Sequence, residues 1–372
     1  MSVAQGWRVA LMAPCYWPEV RRGTERFTRD LADGLVARRH HPRLITSHPH
    51  APSRTLEDGL DVVRLPRPPQ GRLTRRKYEA YLTHVPLSAA FLRLTRNDVA
   101  HALYAPDGVA AARWSARTGR PSVFSYMGIP DRRWLVERRM RLKSIYEASR
   151  DCDAVVALSR AAADEFRRTL GLDARVISPG VDVGAFTPGG KRAERPTIFS
   201  AASLGVPHKK LDDLIRAFPL VRRERPDARL VLSRPSDPEL ACRVLDGHPG
   251  IEFADVDDRE ALADAYRSAW LTALPSATEA FGLVLVESMA CGTPAVGRRA
   301  GAIPEVLDRG DIGVLFEGGP EELARALLEG LDLASDPGTA AACRARAEEF
   351  STELCTSRYE DLYAELLAAR GR

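Results

Sequence analysis

Residues 275–296, PSATEAFGLVLVESMACGTPAV, are the stretch of the 372-residue chain that says most about its fold. They read as a strand end, a polar loop, a helix beginning near Phe281, and then Gly292-Thr293-Pro294 turning into a buried strand. A strand, a helix and a second apolar strand in that order form one unit of a parallel sheet. Glu279 stands just ahead of the helix and Glu287 about six residues inside it, roughly 9 Å further along the axis. The N–H groups of Ala280, Phe281, Gly282 and Leu283 point out of the helix start, where the macrodipole favours anions. Gly282 lets the backbone approach a ligand closely. Such a site takes hydroxyls on Glu279, a phosphate on the helix end and a diol on Glu287. A capped helix with two solvated acids fits the same spacing.

The same rhythm extends outward on both sides. Upstream of the motif, strand signals at 197–201, 229–232, 251–253 and 269–274 alternate with helical stretches, one of them a stripe of Leu211, Leu214, Ile215, Phe218 and Val221. A first block has strand signals at 8–13, 42–46, 61–65, 98–103, 122–126, 154–158 and 175–177, with a helix from about Thr24 carrying Phe27, Leu31 and Leu35. Between the blocks, residues 186–196 (FTPGGKRAERP) concentrate Pro, Gly and charge as a linker does. The length predicts two domains. Two such blocks predict two doubly wound α/β domains with a cleft between them: residues 1–187, residues 188–350, and a final helical segment, 351–372.

The formal charge is only +4, but it is split. Residues 1–190 hold 31 basic and 19 acidic side chains, whereas the rest hold 23 and 31. Two basic amphipathic stretches, 72–82 (RLTRRKYEAYL) and 132–143 (RRWLVERRMRLK), concentrate the excess in the first half, and 66–77 reads as a mobile basic connector. Helices of that kind lie on an anionic membrane or hold an acidic partner, and they equally make ordinary solvated surfaces. No nucleic-acid motif accompanies the charge, so no nucleic-acid partner is expected. The six cysteines are scattered without metal-ligand spacing and read as small buried hydrophobes of a reducing cytoplasm. No secretory signal pattern or membrane-spanning run is visible, so the expected location is cytoplasmic, at most peripheral at the inner membrane face.

Residues 279–287 match the E-x-F-G-L-x-x-x-E motif of the family 4 glycosyltransferases, and the match continues through ACGTPAV (290–296), GAIPEV (301–306) and Gly313. VISPGVD (176–182) resembles the segment that closes that family's first domain. The resemblance covers nearly the whole chain, strongly after residue 150. It implies the GT-B fold, two facing Rossmann-like domains, with residues from 351 on crossing back to the first. It implies a hexose-type sugar moved from a nucleotide diphosphate (UDP-, GDP- or dTDP-linked) to a small-molecule, lipid or glycan acceptor. The transfer retains anomeric configuration and uses neither metal nor cofactor. Carried onto this sequence, Glu279 meets donor-sugar hydroxyls, the amides of Ala280, Phe281 and Gly282 contact the same ring, Leu283 meets the diphosphate, and Glu287 holds the ribose. Glu305 lies in GAIPEV (301–306), which is similar to the family's G-x-x-E-V with Ala302 in the Gly position, and a capping or surface role fits as well.

Three positions depart from the family. Its Arg and Lys, five residues apart, supply charge for the departing diphosphate. Here residues 200–210 (SAASLGVPHKK) put Lys209 in the Lys position, Lys210 beside it and Leu204 in the Arg position. The Gly-Gly loop that opens the first helix is Arg22-Gly23, so Arg22 offers a replacement cation near the donor phosphates. Met127 stands in Ser125-Tyr126-Met127-Gly128, where many relatives carry a histidine near the reacting carbon, and Met transfers no proton. His101 matches another family histidine and is the remaining acceptor-side candidate, with a structural role as its alternative. A sugar-nucleotide-binding scaffold without activity, or another GT-B enzyme acting on nucleotide sugars, is the rival reading.

Overall fold

The computed structural model describes residues 6–16, 19–20, 23–235 and 237–371. The chain divides into two compact units, Met1–Gly180 with Thr352–Arg372, and Val181–Ser351.

The first unit is built on eight strands: β1 (Arg8–Met12), β2 (His41–His48), β3 (Ser53–Glu57), β4 (Leu60–Pro66), β5 (Val99–Ala102), β6 (Ser122–Tyr126), β7 (Ala154–Ala157) and β8 (Arg175–Val176). Their order is β3-β4-β2-β1-β5-β6-β7-β8, parallel except where β3 pairs antiparallel with β4. Central strands bury both faces, as parallel sheets do. Val9 and Leu11 of β1 join Phe27, Leu31 and Leu35 on one side, while Ala10 and Met12 join Phe124 and Val109 on the other. β3 was absent from the strand signals because most of it is exposed and it has no apolar run. Its hairpin signal is the Asp58-Gly59 turn, with φ of 49° and 87°.

The helix Thr352–Ala369 packs with this first unit, placing Tyr359, Leu362 and Tyr363 in the cluster that holds Phe27. It runs so close to the helix Gly23–Ala37 that a Cβ at Gly34 would lie 2.2 Å from Thr356 Oγ1.

The second unit carries β9 (Thr197–Ser200), β10 (Arg229–Ser233), β11 (Ile251–Ala254), β12 (Leu271–Leu274), β13 (Ala295–Arg298) and β14 (Gly313–Phe316). The order is β11-β10-β9-β12-β13-β14, parallel throughout. The units divide at residue 180, ahead of the Pro/Gly-rich linker that the composition singles out. Residues 181–186 are already tied into the second unit: Val181 N–H donates to Phe350 O at 2.8 Å, and Arg344 Nη1 donates to Val183 O and Phe186 O.

Three local expectations change. The basic connector contains a short helix, Gly71–Arg75, and the 72–82 stretch does not continue it, since Lys77 and Tyr81 take left-handed φ of 57° and 61°. The 132–143 stretch is broken into Arg132–Val136 and the start of Arg141–Asp151 by Met140 at φ 69°. Cys242 is exposed, unlike the other five cysteines.

Candidate functional site

Strand order reverses direction around β9 in the second sheet, with β10 on one side and β12 on the other. Open α/β sheets bind ligands at the carboxyl ends of the strands flanking such a switch. The loop after β9 ends in a short turn, Pro207–Lys209, and the loop after β12 carries Glu279. Ala277 N–H donates to His208 O at 2.8 Å, which joins the two loops. Lys209 Nζ then reaches Glu279 Oε2 at 2.7 Å, with both side chains partly exposed. The imidazole of His208 is held below its ordinary range, first by burial and then by the adjacent Lys209 charge. Lys210 is exposed and takes φ 54° as the residue before the helix Leu211–Glu224. Leu204 is buried, so the position where the family carries Arg offers no charge.

The helix after the Glu279 loop runs Leu283–Ala290, two residues later than expected. Gly282 sets that start: at φ 99° it cannot be helical, and Leu285 N–H donates back to its carbonyl at 2.9 Å. Phe281 is buried in an edge-on contact with Phe350, while Ala280 and Leu283 remain half-buried. Glu287 is the fifth helical residue and only 1% exposed. Its Oε2 accepts a 3.0 Å hydrogen bond from the buried Tyr266 hydroxyl. The expectation of a solvated acid fails here, because the helix is buried along most of its length.

A third loop, after β13, braces the first two. Gly301 lies at φ 56°, and a Cβ there would stand 2.4 Å from Glu279 O; the next residue, Ala302, donates its N–H to the same oxygen at 2.9 Å. Arg298 donates from Nε to Pro275 O at 2.9 Å and from Nη2 to Asp213 Oδ2 at 2.8 Å. One guanidinium thus holds the start of the Glu279 loop and the helix that follows Lys209 and Lys210. Glu305 lends its carbonyl to Arg346 at 2.6 Å.

In the first unit the switch falls between β1 and β5. Gly23 opens the helix Gly23–Ala37 there; Arg22 lies outside the described residues. Tyr104, after β5, donates to Glu25 Oε1 at 2.7 Å, and the Cys15 thiol donates to the same oxygen at 3.2 Å. Burial, more than any neighbour, pushes that thiol up to about 11. Met127, just past β6, is half-buried against the apolar cluster and offers no polar atom for proton transfer. His101 is not an acceptor-side group. It is fully buried, its Nδ1 and Nε2 lie 2.7 Å from Tyr363 Oη and Ser125 Oγ, and burial lowers its pKa to about 3.

A family model described as Glycosyltransferase Family 4 matches residues 21–185, and one described as Glycosyl transferases group 1 matches residues 195–332. The D-inositol 3-phosphate glycosyltransferase of Nocardiopsis dassonvillei is 30% identical, over 82% of this chain and 79% of its own. The chain belongs to glycosyltransferase family 4. The Corynebacterium kroppenstedtii protein of the same name is 37% identical, over 41% of this chain and 39% of its own length. Two solved structures share the GT-B fold. Sucrose-phosphate synthase from Thermosynechococcus elongatus superposes with TM-score 0.82 at 21% identity, covering 98% of this chain and 100% of that one. Anabaena HepE in complex with UDP-glucose superposes with TM-score 0.72 at 19% identity, covering 98% and 100%.

For this family 4 chain, the structure brings Lys209, Glu279 and Gly282 together around one switch point and buries Glu287 inside the unit, on the helix that follows Gly282. Three supporting residues escaped the sequence reading. Gly301 stood within a quoted motif but without a stated role, and Arg298 follows an apolar strand with nothing to mark it. Tyr266 belongs to a helix, Arg259–Ser268, whose spacing signals only a buried face.

Proposed function

We propose that this protein transfers a hexose-type sugar from a nucleoside diphosphate to an acceptor hydroxyl, with retention of anomeric configuration and without a metal ion. The observation that carries the reading is the Lys209–Glu279 pair, 2.7 Å apart across the β9/β12 switch. A carboxylate accepts hydrogen bonds from neighbouring sugar hydroxyls, and a lysine beside it stabilises the charge that grows on a departing diphosphate. The Gly282 turn brings backbone within reach of the same ligand, and Glu287 serves the ribose from below.

In the transfer, the bond from the anomeric carbon to the diphosphate oxygen breaks and the bond to the acceptor oxygen forms on the same face. With Met127 where relatives carry histidine, the departing phosphate oxygen takes the acceptor's proton. Lys209 tunes that step by holding the diphosphate. The acceptor class follows from the relatives' printed name, D-inositol 3-phosphate glycosyltransferase, and from the Arg-rich first half: a polyol that carries negative charge. A catalytically silent sugar-nucleotide binder is the second reading, favoured by Leu204 and Met127.

The test incubates the purified protein with UDP-, GDP- and dTDP-hexoses, with and without inositol phosphates and cell-extract acceptors, in EDTA. Thermal shift reads donor binding and free nucleotide reads transfer. Acceptor-dependent nucleotide release that Lys209→Ala lowers by about 10²–10³-fold is the expected result. Donor binding without release under every condition selects the silent binder.

A further inference from the structure

We propose that the first unit docks on an anionic lipid surface through the face formed by residues 71–82 and 132–150, independently of the transfer reaction. The fold joins these two segments. Glu79 N–H donates to Arg139 O at 2.9 Å, Arg139 N–H donates to Lys77 O at 2.7 Å, and Arg141 packs its guanidinium 3.8 Å over the Trp134 ring.

Among the described residues, half of the large exposed hydrophobics fall within one short span, residues 134–146: Trp134, Val136, Met140, Leu142 and Tyr146, with Val136 70% exposed. Scattered single apolar residues are ordinary on a protein surface, but this concentration beside a basic segment is the composition of an interaction site. Arg72, Arg75, Arg76, Lys77, Arg132, Arg133, Arg139, Lys143 and Arg150 are exposed on the same segments. Three acids lie on the same segments, Glu79, Glu137 and Glu147, and each is paired there: Glu79 and Glu137 with Arg141, and Glu147 with Lys143. The face therefore presents net positive charge around apolar side chains.

Charge complementarity selects the occupant. A basic rim around Trp, Met, Val and Leu suits a surface that is negative at its headgroups and apolar beneath them, which is an anionic bilayer. An acidic surface that is polar throughout satisfies the arginines but leaves Val136 and Leu142 uncovered, whereas a bilayer takes both the charge and the apolar side chains. Met140 also lines an apolar groove of about 430 Å³ shared with Leu73, Tyr78, Leu82 and Pro86, so the apolar character extends inward from the face.

The test is co-sedimentation of the full chain with phosphatidylcholine vesicles, with and without phosphatidylglycerol. Binding to the anionic vesicles only, weakened by added salt, is expected. Arg132→Gln with Arg133→Gln and Lys143→Gln lowers the partition on the order of 100-fold, counting each basic residue near the surface as about fivefold. Val136→Ser with Leu142→Ser lowers it roughly tenfold. Leu94→Ser, at a residue 85% exposed on the helix His84–Leu94, leaves it unchanged. Circular dichroism and thermal melting establish that each variant is folded. No binding, equal binding to neutral and anionic vesicles, or variants that bind like the parent overturn the proposal. So does sedimentation velocity showing a dimer that Val136→Ser with Leu142→Ser dissolves, since the face is then covered by a second copy.

Discussion

His101 offers a test of how the first unit is held together. The ring lies between Tyr363 Oη and Ser125 Oγ, and Ser125 Oγ is 2.9 Å from Tyr359 Oη. One buried polar cluster thereby joins β5 and β6 to the helix Thr352–Ala369. Burial lowers the His101 pKa from 6.5 to about 3. The folded unit holds this imidazole neutral while the unfolded chain protonates it below 6.5. Its contribution is therefore complete above 6.5 and is lost as pH falls toward 3. Each pH unit in that window costs about 1.4 kcal/mol, so pH 4.5 costs about 2–3 kcal/mol relative to pH 7.

Other carboxylates and histidines titrate in the same range, so the comparison is with His101→Gln, whose amide keeps one donor and one acceptor. At pH 7.5 the variant is less stable by about 1–3 kcal/mol, having exchanged a fitted ring for a poorer one. As pH falls to 4.5 the gap closes by about 2–3 kcal/mol, because only the parent carries the proton penalty. Native-state hydrogen exchange of β5 amides and of the helix Thr352–Ala369 reads this unit without requiring the whole chain to unfold in one step. A gap that stays constant from pH 7.5 to 4.5 refutes the argument, since the folded ring then gains its proton without penalty.

Three predictions concern the second unit. Glu279→Gln and Lys209→Ala each lower turnover by about 10²–10³-fold while the melting temperature changes little, because removing one preorganised charge contact costs that much at a developing charge; steady-state nucleotide release measures it. Gly301→Ala drives a Cβ into the backbone of Glu279 and destabilises by about 1–3 kcal/mol, with a turnover loss that exceeds the stability loss; calorimetry and kinetics together separate the two. Tyr266→Phe removes one hydrogen bond from a buried carboxylate and costs about 1–3 kcal/mol. It raises the KM for donor more than it lowers kcat, whereas a purely structural tyrosine moves only stability.

The site was legible where chemistry and backbone demands coincide in a short span. Glu279 and Gly282 lie three residues apart, and the left-handed φ at Gly282 explains why a glycine stands where the helix starts. Lys209 stood out as one of five lysines in an arginine-rich chain. Val136 and Leu142, read as parts of one amphipathic stretch, instead lie on two separate helices. A positive φ at Met140 decides that break, and a non-glycine residue gives no local sign of it.

By itself the sequence determined the alternation of strands and helices, since apolar period and glycine punctuation act over a few residues and survive in any context. It also determined which residue types stand near the second switch point. Only the tertiary structure decided that His101 is a buried strut, that Glu287 is buried with Tyr266 on its oxygen, and that Arg298 and Gly301 brace the loop carrying Glu279. Those roles depend on contacts between residues far apart in the chain, and burial, which sets a side chain's charge and reach, exists only once the sheets and helices have packed.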